Sequence, residues 1–115
     1  MRYQPLDNAE IIRRMNDLVK GEKRYRDCKL STTVVAKELG ISRSTLSTII
    51  NKEMHTTFVD YVNGLRLKQA RHMMKCNSKG HTLEHISLLS GFACPSTFYR
   101  QYKKVYGETP RKTGV

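Results

Sequence analysis

The sequence predicts an all-α protein in which two helix-turn-helix subdomains are joined by a long linker helix. Three observations predict it. Apolar residues recur at intervals of three and four along nearly the whole chain, and no run alternates as a strand would. Residues 31–53, STTVVAKELGISRSTLSTIINKE, carry the spacing of a helix-turn-helix unit. The same spacing returns further on, with Ile86 standing 51 residues after Val35. At 115 residues the chain holds one domain or two very small ones.

In chain order, MRYQPL reads as a loose lead-in and Asp7 as the cap of a helix from Asn8 to about Lys20. Its inward residues are Ile11, Ile12, Met15, Leu18 and Val19. Gly21 weakens that helix, although the charged residues after it are able to carry it a further turn. GEKRYRDCKL then crosses to the first unit with Tyr25 and Leu30 inward, and Lys20, Lys23, Arg24, Arg26 and Lys29 read as a solvated linker. Residues 1–29 are thus assigned to the first subdomain as its N-terminal helix and linker, 30–56 to the first helix-turn-helix, 57–77 to the connecting helix and 78–115 to the second helix-turn-helix.

Within the first unit each position has its own physical reason. Ala36 lets two crossing backbones approach, and Gly40 takes the left-handed conformation that ends the first helix. Ile41 plugs the turn, Ser42 caps the second helix, and Leu46, Ile49 and Ile50 form its buried stripe. Arg43, Ser44, Ser47, Thr48, Asn51 and Lys52 remain outward, a short polar and basic face of the kind that lies in a DNA major groove. An ordinary helical hairpin with a solvated face has the same pattern, so one unit alone does not decide the matter.

Thr57 caps the connector, which runs from Phe58 to about Cys76 with Phe58, Tyr61, Val62, Leu65, Ala70, Met73 and Met74 inward. Arg66, Lys68, Arg71 and Lys75 are expected on its other side. Such a helix spans roughly 28 Å, against about 34 Å between successive major grooves on one face of B-DNA. SKG breaks the chain and Thr82 caps LEHISLLS, after which Ile86, Ser87, Gly91 and Phe92 repeat Val35, Ala36, Gly40 and Ile41. With one residue added in the turn, Phe98 and Tyr102 stand where Leu46 and Ile50 stood, and Pro95 suits the first turn of the last helix.

The formal net charge is +11, and it is spread through the chain: residues 1–57 hold 11 Lys and Arg against 7 Asp and Glu, residues 58–115 hold 10 against 3. A polyanion is the partner this implies. A basic amphipathic helix with bulky aromatic anchors, as a membrane surface requires, is absent from the sequence, as are a long apolar span and a signal-peptide core. The expected location is cytoplasmic. Cys28, Cys76 and Cys94 leave one thiol over in any disulfide scheme, which fits a reducing compartment. Cys76, His81 and His85 suggest a zinc site only superficially, since a fourth ligand is wanting. No metal, no cofactor and no enzymatic activity are expected, for the sequence has no paired-carboxylate signature, nucleophile elbow or phosphate-cradling glycine loop.

The second unit, ISLLSGFACPSTFYRQYKKVYGETP, resembles the C-terminal signature IA..GF....F.R.FK...G.TP of the AraC/XylS family of transcription regulators. Ile86, Gly91, Phe92, Phe98, Arg100, Tyr102, Lys103, Gly107, Thr109 and Pro110 carry the resemblance. Ser42, Leu46 and Ser47 add the family's SxxxLS, and Phe58, Tyr61, Asn63, Arg66 and Ala70 add its F..Y.N..R...A. The resemblance implies a domain of about seven helices, two helix-turn-helix units bridged by one long helix, that binds promoter DNA and regulates transcription. It implies that the first recognition helix presents Arg43, Ser44, Ser47 and Thr48, and the second Pro95, Ser96, Thr97, Tyr99 and Arg100, with Lys103 and Lys104 nearer the backbone and Thr82 offering helix amides to a phosphate.

The chain departs from the family at His55, where Gly is usual, at Ser87, where Ala is usual, and in ending RKTGV. Implied partners are double-stranded promoter DNA, RNA polymerase for an activator, and a fused sensory or dimerisation domain, including that of a sensor-kinase hybrid. A basic helical module for RNA or a protein partner, and the DNA-reading module of a recombinase or transposase, are the alternative readings.

Overall fold

A computed structural model describes residues 7–76 and 79–110, whose regular secondary structure is helical, with no strand among them. The order is α1 Asn8–Lys20, a 3-10 turn at Gly21–Arg26, α2 Thr32–Leu39, α3 Arg43–Met54, α4 Phe58–Lys75, α5 Leu83–Leu89 and α6 Pro95–Tyr106. MRYQPL, the residue pair 77–78 and RKTGV lie outside the described residues, and with them any seventh helix after Pro110. No described helix is long and apolar enough to cross a membrane.

The chain divides into two compact units, 1–24 with 30–61 and 25–29 with 62–115. In the first, Asp7 caps α1 by accepting from the Glu10 amide at 2.8 Å, and α1 lays Ile11, Met15 and Val19 against α2 and α3. Val35, Ala36, Leu46, Ile49 and Ile50 complete this core with the ring of Phe58. Thr57 caps α4 by accepting from the Asp60 amide at 3.1 Å. The Tyr61 hydroxyl donates to Asn16 Oδ1, and burial pushes its pKa up to about 12, so the phenol stays a donor.

The second unit packs Leu67, Ala70 and Met74 of α4 against Ile86, Phe92, Phe98 and Tyr102. Its core links aromatic rings to aliphatic side chains. Phe98 sits 5.4 Å from Phe92, 5.5 Å from Tyr99 and 5.7 Å from Tyr102, and Tyr102 sits 4.6 Å from Tyr106, all tilted or edge-on as ring quadrupoles favour.

α1 ends at Lys20, as the spacing predicts, and Gly21 begins a 3-10 turn in which Glu22 (φ 57°) and Lys23 (φ 55°) are left-handed. Three expectations are corrected by this arrangement. Residues 25–29 group with the second unit and not with the first subdomain, and the linker cation Arg24 pairs with Glu38 through two bonds of 2.7 and 2.8 Å. The inward face of α4 includes Leu67, which the three-and-four spacing passed over, while Leu65 is only half-buried. Arg66 does not stand on the solvent side of α4.

Arg66 is 9% exposed and works as a clamp. Its Nε donates to the Tyr25 carbonyl at 2.6 Å, and its Nη groups donate to the Asp27 carbonyl at 2.9 Å and to Asn63 Oδ1 at 3.3 Å. A five-donor fork satisfies two loop carbonyls and a side-chain amide at once, which offsets burying the charge. The loop it holds presses on Gly91.

Candidate nucleic-acid interface

Both helix-turn-helix units are built the way their residues dictate. In the first, Ser31 caps α2 by accepting from Val34 N at 3.2 Å, Gly40 ends it at φ 75°, and Ile41 N closes back on Ala36 O at 3.0 Å. Ser42 then caps α3, accepting from Thr45 N at 3.1 Å and donating to Thr45 Oγ1 at 2.8 Å. With Leu46, Ile49 and Ile50 buried, α3 turns Arg43, Ser44, Ser47 and Thr48 to solvent. They fall into two rows. Arg43, Ser47 and Asn51 line one shallow depression with Thr32 and Thr56, and Ser44, Thr48 and Lys52 line another with Asn8. The outward face of α3 is therefore a ridge flanked by hollows, a shape suited to entering a groove.

In the second unit Thr82 caps α5, accepting from His85 N at 3.1 Å, and Phe92 N bonds Ser87 O at 3.1 Å just as Ile41 bonds Ala36. Ser87 is fully buried where its repeat partner is Ala; its hydroxyl donates to the Glu84 carbonyl at 2.7 Å, so no polar group is stranded. Cys94 takes the N-cap position of α6 and Pro95 its first turn. Its Sγ lies 3.3 Å from Thr97 Oγ1, and that hydroxyl holds the Cys94 thiol below its ordinary pKa.

Phe98 and Tyr102 face inward, so α6 presents Ser96, Arg100, Lys103 and Lys104 as one exposed row at spacings of four, seven and eight. Pro95, Thr97 and Tyr99 are half-buried at the edge of that row. Tyr99 is further committed, since its hydroxyl donates to Glu84 Oε1 at 3.0 Å and its ring packs on Phe98. Thr82 stands apart from the row, at the start of α5, with its hydroxyl already serving as the cap.

The structure thus gathers Arg43, Ser44, Ser47 and Thr48 on one helix and Ser96, Arg100, Lys103 and Lys104 on another. Asn51 and Lys52, already outward by spacing, join the first group at the helical interval of four from Ser47 and Thr48. The α6 segment PSTFYRQYKKVY contains no carboxylate, so nothing on that helix opposes an approaching phosphate.

Two helix-turn-helix units, each exposing a polar and basic second helix, define the class of DNA-binding domains. The pattern of the helix-turn-helix domain family matches residues 35–114. The chain belongs to this family, as an AraC/XylS-type domain. It is 32% identical over 75 residues to histidine kinase P4 of Formosa agariphila, covering 65% of this chain and 5% of that protein. The C-terminal domain of the two-component response regulator yesN from Fusobacterium nucleatum superimposes with a TM-score of 0.79 at 23% identity, covering 95% of this chain and 100% of that one. The DNA-binding domain of AdpA, a global transcriptional factor solved in complex with a target DNA, superimposes with a TM-score of 0.72 at 14% identity, covering 91% and 86%. At those identities the two structures show the shared fold. The chain spans between 5% and 47% of the length of the curated relatives it matches.

Proposed function

We propose that this domain binds double-stranded promoter DNA sequence-specifically and regulates transcription, with α3 and α6 entering successive major grooves. One observation carries the reading. The same buried pattern recurs in both units, and each time it leaves a row of hydroxyl and basic side chains outward on a helix of 12 residues. In this reading Arg100 is the principal base reader, since its fork bonds O6 and N7 of guanine together, whereas the Ser and Thr hydroxyls of α3 discriminate weakly. Lys103 and Lys104 neutralise phosphates and set register. The DNA complex of the AdpA domain supports the choice of ligand.

The likeness to a small part of a histidine kinase supports a further element: the domain is the output module of a longer sensor regulator. Detecting the native gene product as a stand-alone polypeptide of this size removes that element. RNA polymerase is the expected partner when the regulator activates.

The test is selection of bound duplexes from a randomised pool at about 150 mM salt, where screening has already weakened nonspecific attraction. Two enriched boxes with centres about one helical turn apart are expected. A single box means that one unit reads bases while the other steadies the backbone, and no enrichment overturns the reading.

A further inference from the structure

We propose that the C-terminal half of α4 is a docking site for an acidic segment of a partner protein, separate from the DNA-reading row of α6. Lys68, Arg71, His72 and Lys75 stand at spacings of three, four and seven, so they share one helix face. With Tyr106 of α6 they line a depression of about 370 Å³. Asp60, in the first turn, is the sole acidic residue of the helix, so α4 offers these cations no carboxylate of its own nearby. No ion pair to any of the four occurs among the described residues. Like charges at such intervals repel along a helix, and the helix dipole offsets this only in the last turn, where Lys75 lies.

The depression is also shaped. The Arg71 guanidinium lies over the Tyr106 ring, 4.3 Å from its centroid, and its Nε is buried with no hydrogen-bond partner among the described residues. Stacking holds a cation that would otherwise sample many rotamers, and a fixed fork loses little entropy on meeting a carboxylate. Around it, exposed Lys68 and Lys75 supply mobile charge, His72 a polar ring edge and Tyr106 an apolar floor.

The position on α6 argues for a partner other than the duplex. At about 100° per residue, Tyr106 lies about 100° around the helix from the middle of the Ser96, Arg100, Lys103 and Lys104 row. It stands on the side where its ring meets Tyr102 of the core at 4.6 Å. A groove that holds the outward row leaves the α4 face uncovered. What complements three convergent cations with an aromatic floor is a run of Asp and Glu interspersed with apolar residues. The proposal does not depend on DNA being the ligand of α6.

Fluorescence anisotropy with a labelled peptide alternating Glu and Leu and, in parallel, with a labelled duplex tests it. Two charge-matched variants are compared, Lys68→Gln with Lys75→Gln, and Lys103→Gln with Lys104→Gln. The α4 pair is expected to weaken peptide binding about five- to tenfold while leaving duplex binding within about twofold, and the α6 pair to do the reverse. Amide NMR shifts on adding peptide should cluster at residues 68–75 and at Tyr106. No saturable peptide binding at about 150 mM salt overturns the proposal, as does equal loss in both variants, which is attraction to net charge alone. A larger loss of duplex than of peptide binding from the α4 pair also overturns it and makes the face a contact to the DNA backbone. Where no duplex binds at all, the peptide arm still decides, because the two variants differ only in where charge was removed.

Discussion

The two helix-turn-helix units of this chain hold the same positions for different reasons. Gly40 and Gly91 occupy equivalent turns, yet a side chain on Gly40 meets only open space, while a Cβ on Gly91 would stand 2.4 Å from the Tyr25 carbonyl oxygen and 2.7 Å from the Arg26 Cα. The first core is mainly aliphatic, with the one ring of Phe58, and the second joins three linked rings, Phe92, Phe98 and Tyr102, to aliphatic neighbours. A repeat read from sequence therefore fixes where a residue type recurs and leaves open what that residue is for. Packing decides, and the packing partner of Gly91 comes from a loop more than sixty residues earlier, a span of 66 from Tyr25.

The glycine pair gives the sharpest test. Gly91→Ala forces backbone against backbone at φ 109°, with no flexible side chain to give way, and is expected to cost about 4 kcal/mol or more, or to abolish folding. Gly40→Ala bears only the left-handed strain of φ 75°, about 1–2 kcal/mol. Urea titration of both variants checks this, and equal costs would remove the distinction between the two turns.

Truncation of the equivalent core residues comes next. Phe98→Ala removes a ring in contact with Phe92, Tyr99 and Tyr102 and should cost about 3–5 kcal/mol; Leu46→Ala should cost about 2–5 kcal/mol in the first unit. An upper-range loss is expected for Phe98, because three neighbouring rings lose their partner together. A cost below that of Leu46 would show that the aromatic cluster closes over the gap.

How much of this was legible depended on whether the information was local. Caps at Asp7, Ser31, Ser42, Thr57 and Thr82 need only a polar side chain three residues ahead of an amide, and the sequence shows them, although that of Ser31 was not singled out. The outward rows of α3 and α6 followed from the same periodicity that revealed the cores. Arg66 was misplaced because helical spacing reports which side a residue lies on and is silent on a distant loop folding over that side to offer its carbonyls. The half-buried setting of Tyr99 is not legible in the spacing because its acceptor, Glu84, sits on another helix. Leu67 was missed since the core of the second unit takes its own angle on α4, displaced from the stripe that begins at Phe58.

The two recognition helices should also differ in what they contribute to binding. Arg100 occupies the position of Thr48 in the repeat, 52 residues on. Arg100→Ala is expected to relax preference at one base position and cost about 1–3 kcal/mol, and Thr48→Ala to cost under about 1 kcal/mol. Lys103→Ala should weaken binding to all duplexes alike and shallow the salt slope by about one unit. Binding isotherms on the selected site and on single-base variants, across salt, separate the two effects. Uniform weakening from Arg100→Ala with altered base preference from Lys103→Ala would show the roles exchanged.

A smaller gain is expected within the aromatic core. The Tyr102 hydroxyl is buried without a partner among the described residues, at the position where Ile50 serves in the first unit. Tyr102→Phe keeps the ring contacts and removes the stranded group, and should raise stability by about 1 kcal/mol in the same urea titration. A loss would mean the hydroxyl is satisfied.

The smallest effect concerns how each recognition helix ends. Both end left-handed, α6 at Gly107 (φ 78°) and α3 at His55 (φ 55°), whose amide closes on Asn51 O at 3.0 Å. Glycine adopts this conformation at no steric cost, whereas an L side chain with a Cβ bears about 1 kcal/mol there. His55 is exposed and so gains little packing in return. Glycine's larger unfolded-state entropy offsets part of the relief, so His55→Gly should stabilise by about 0.5 kcal/mol, and Gly107→His should destabilise by about 1 kcal/mol. Paired denaturation midpoints measure both. If His55→Gly lowers stability, the imidazole is holding the turn into α4 through contacts of its own, and the first unit then ends its recognition helix by a different device from the second.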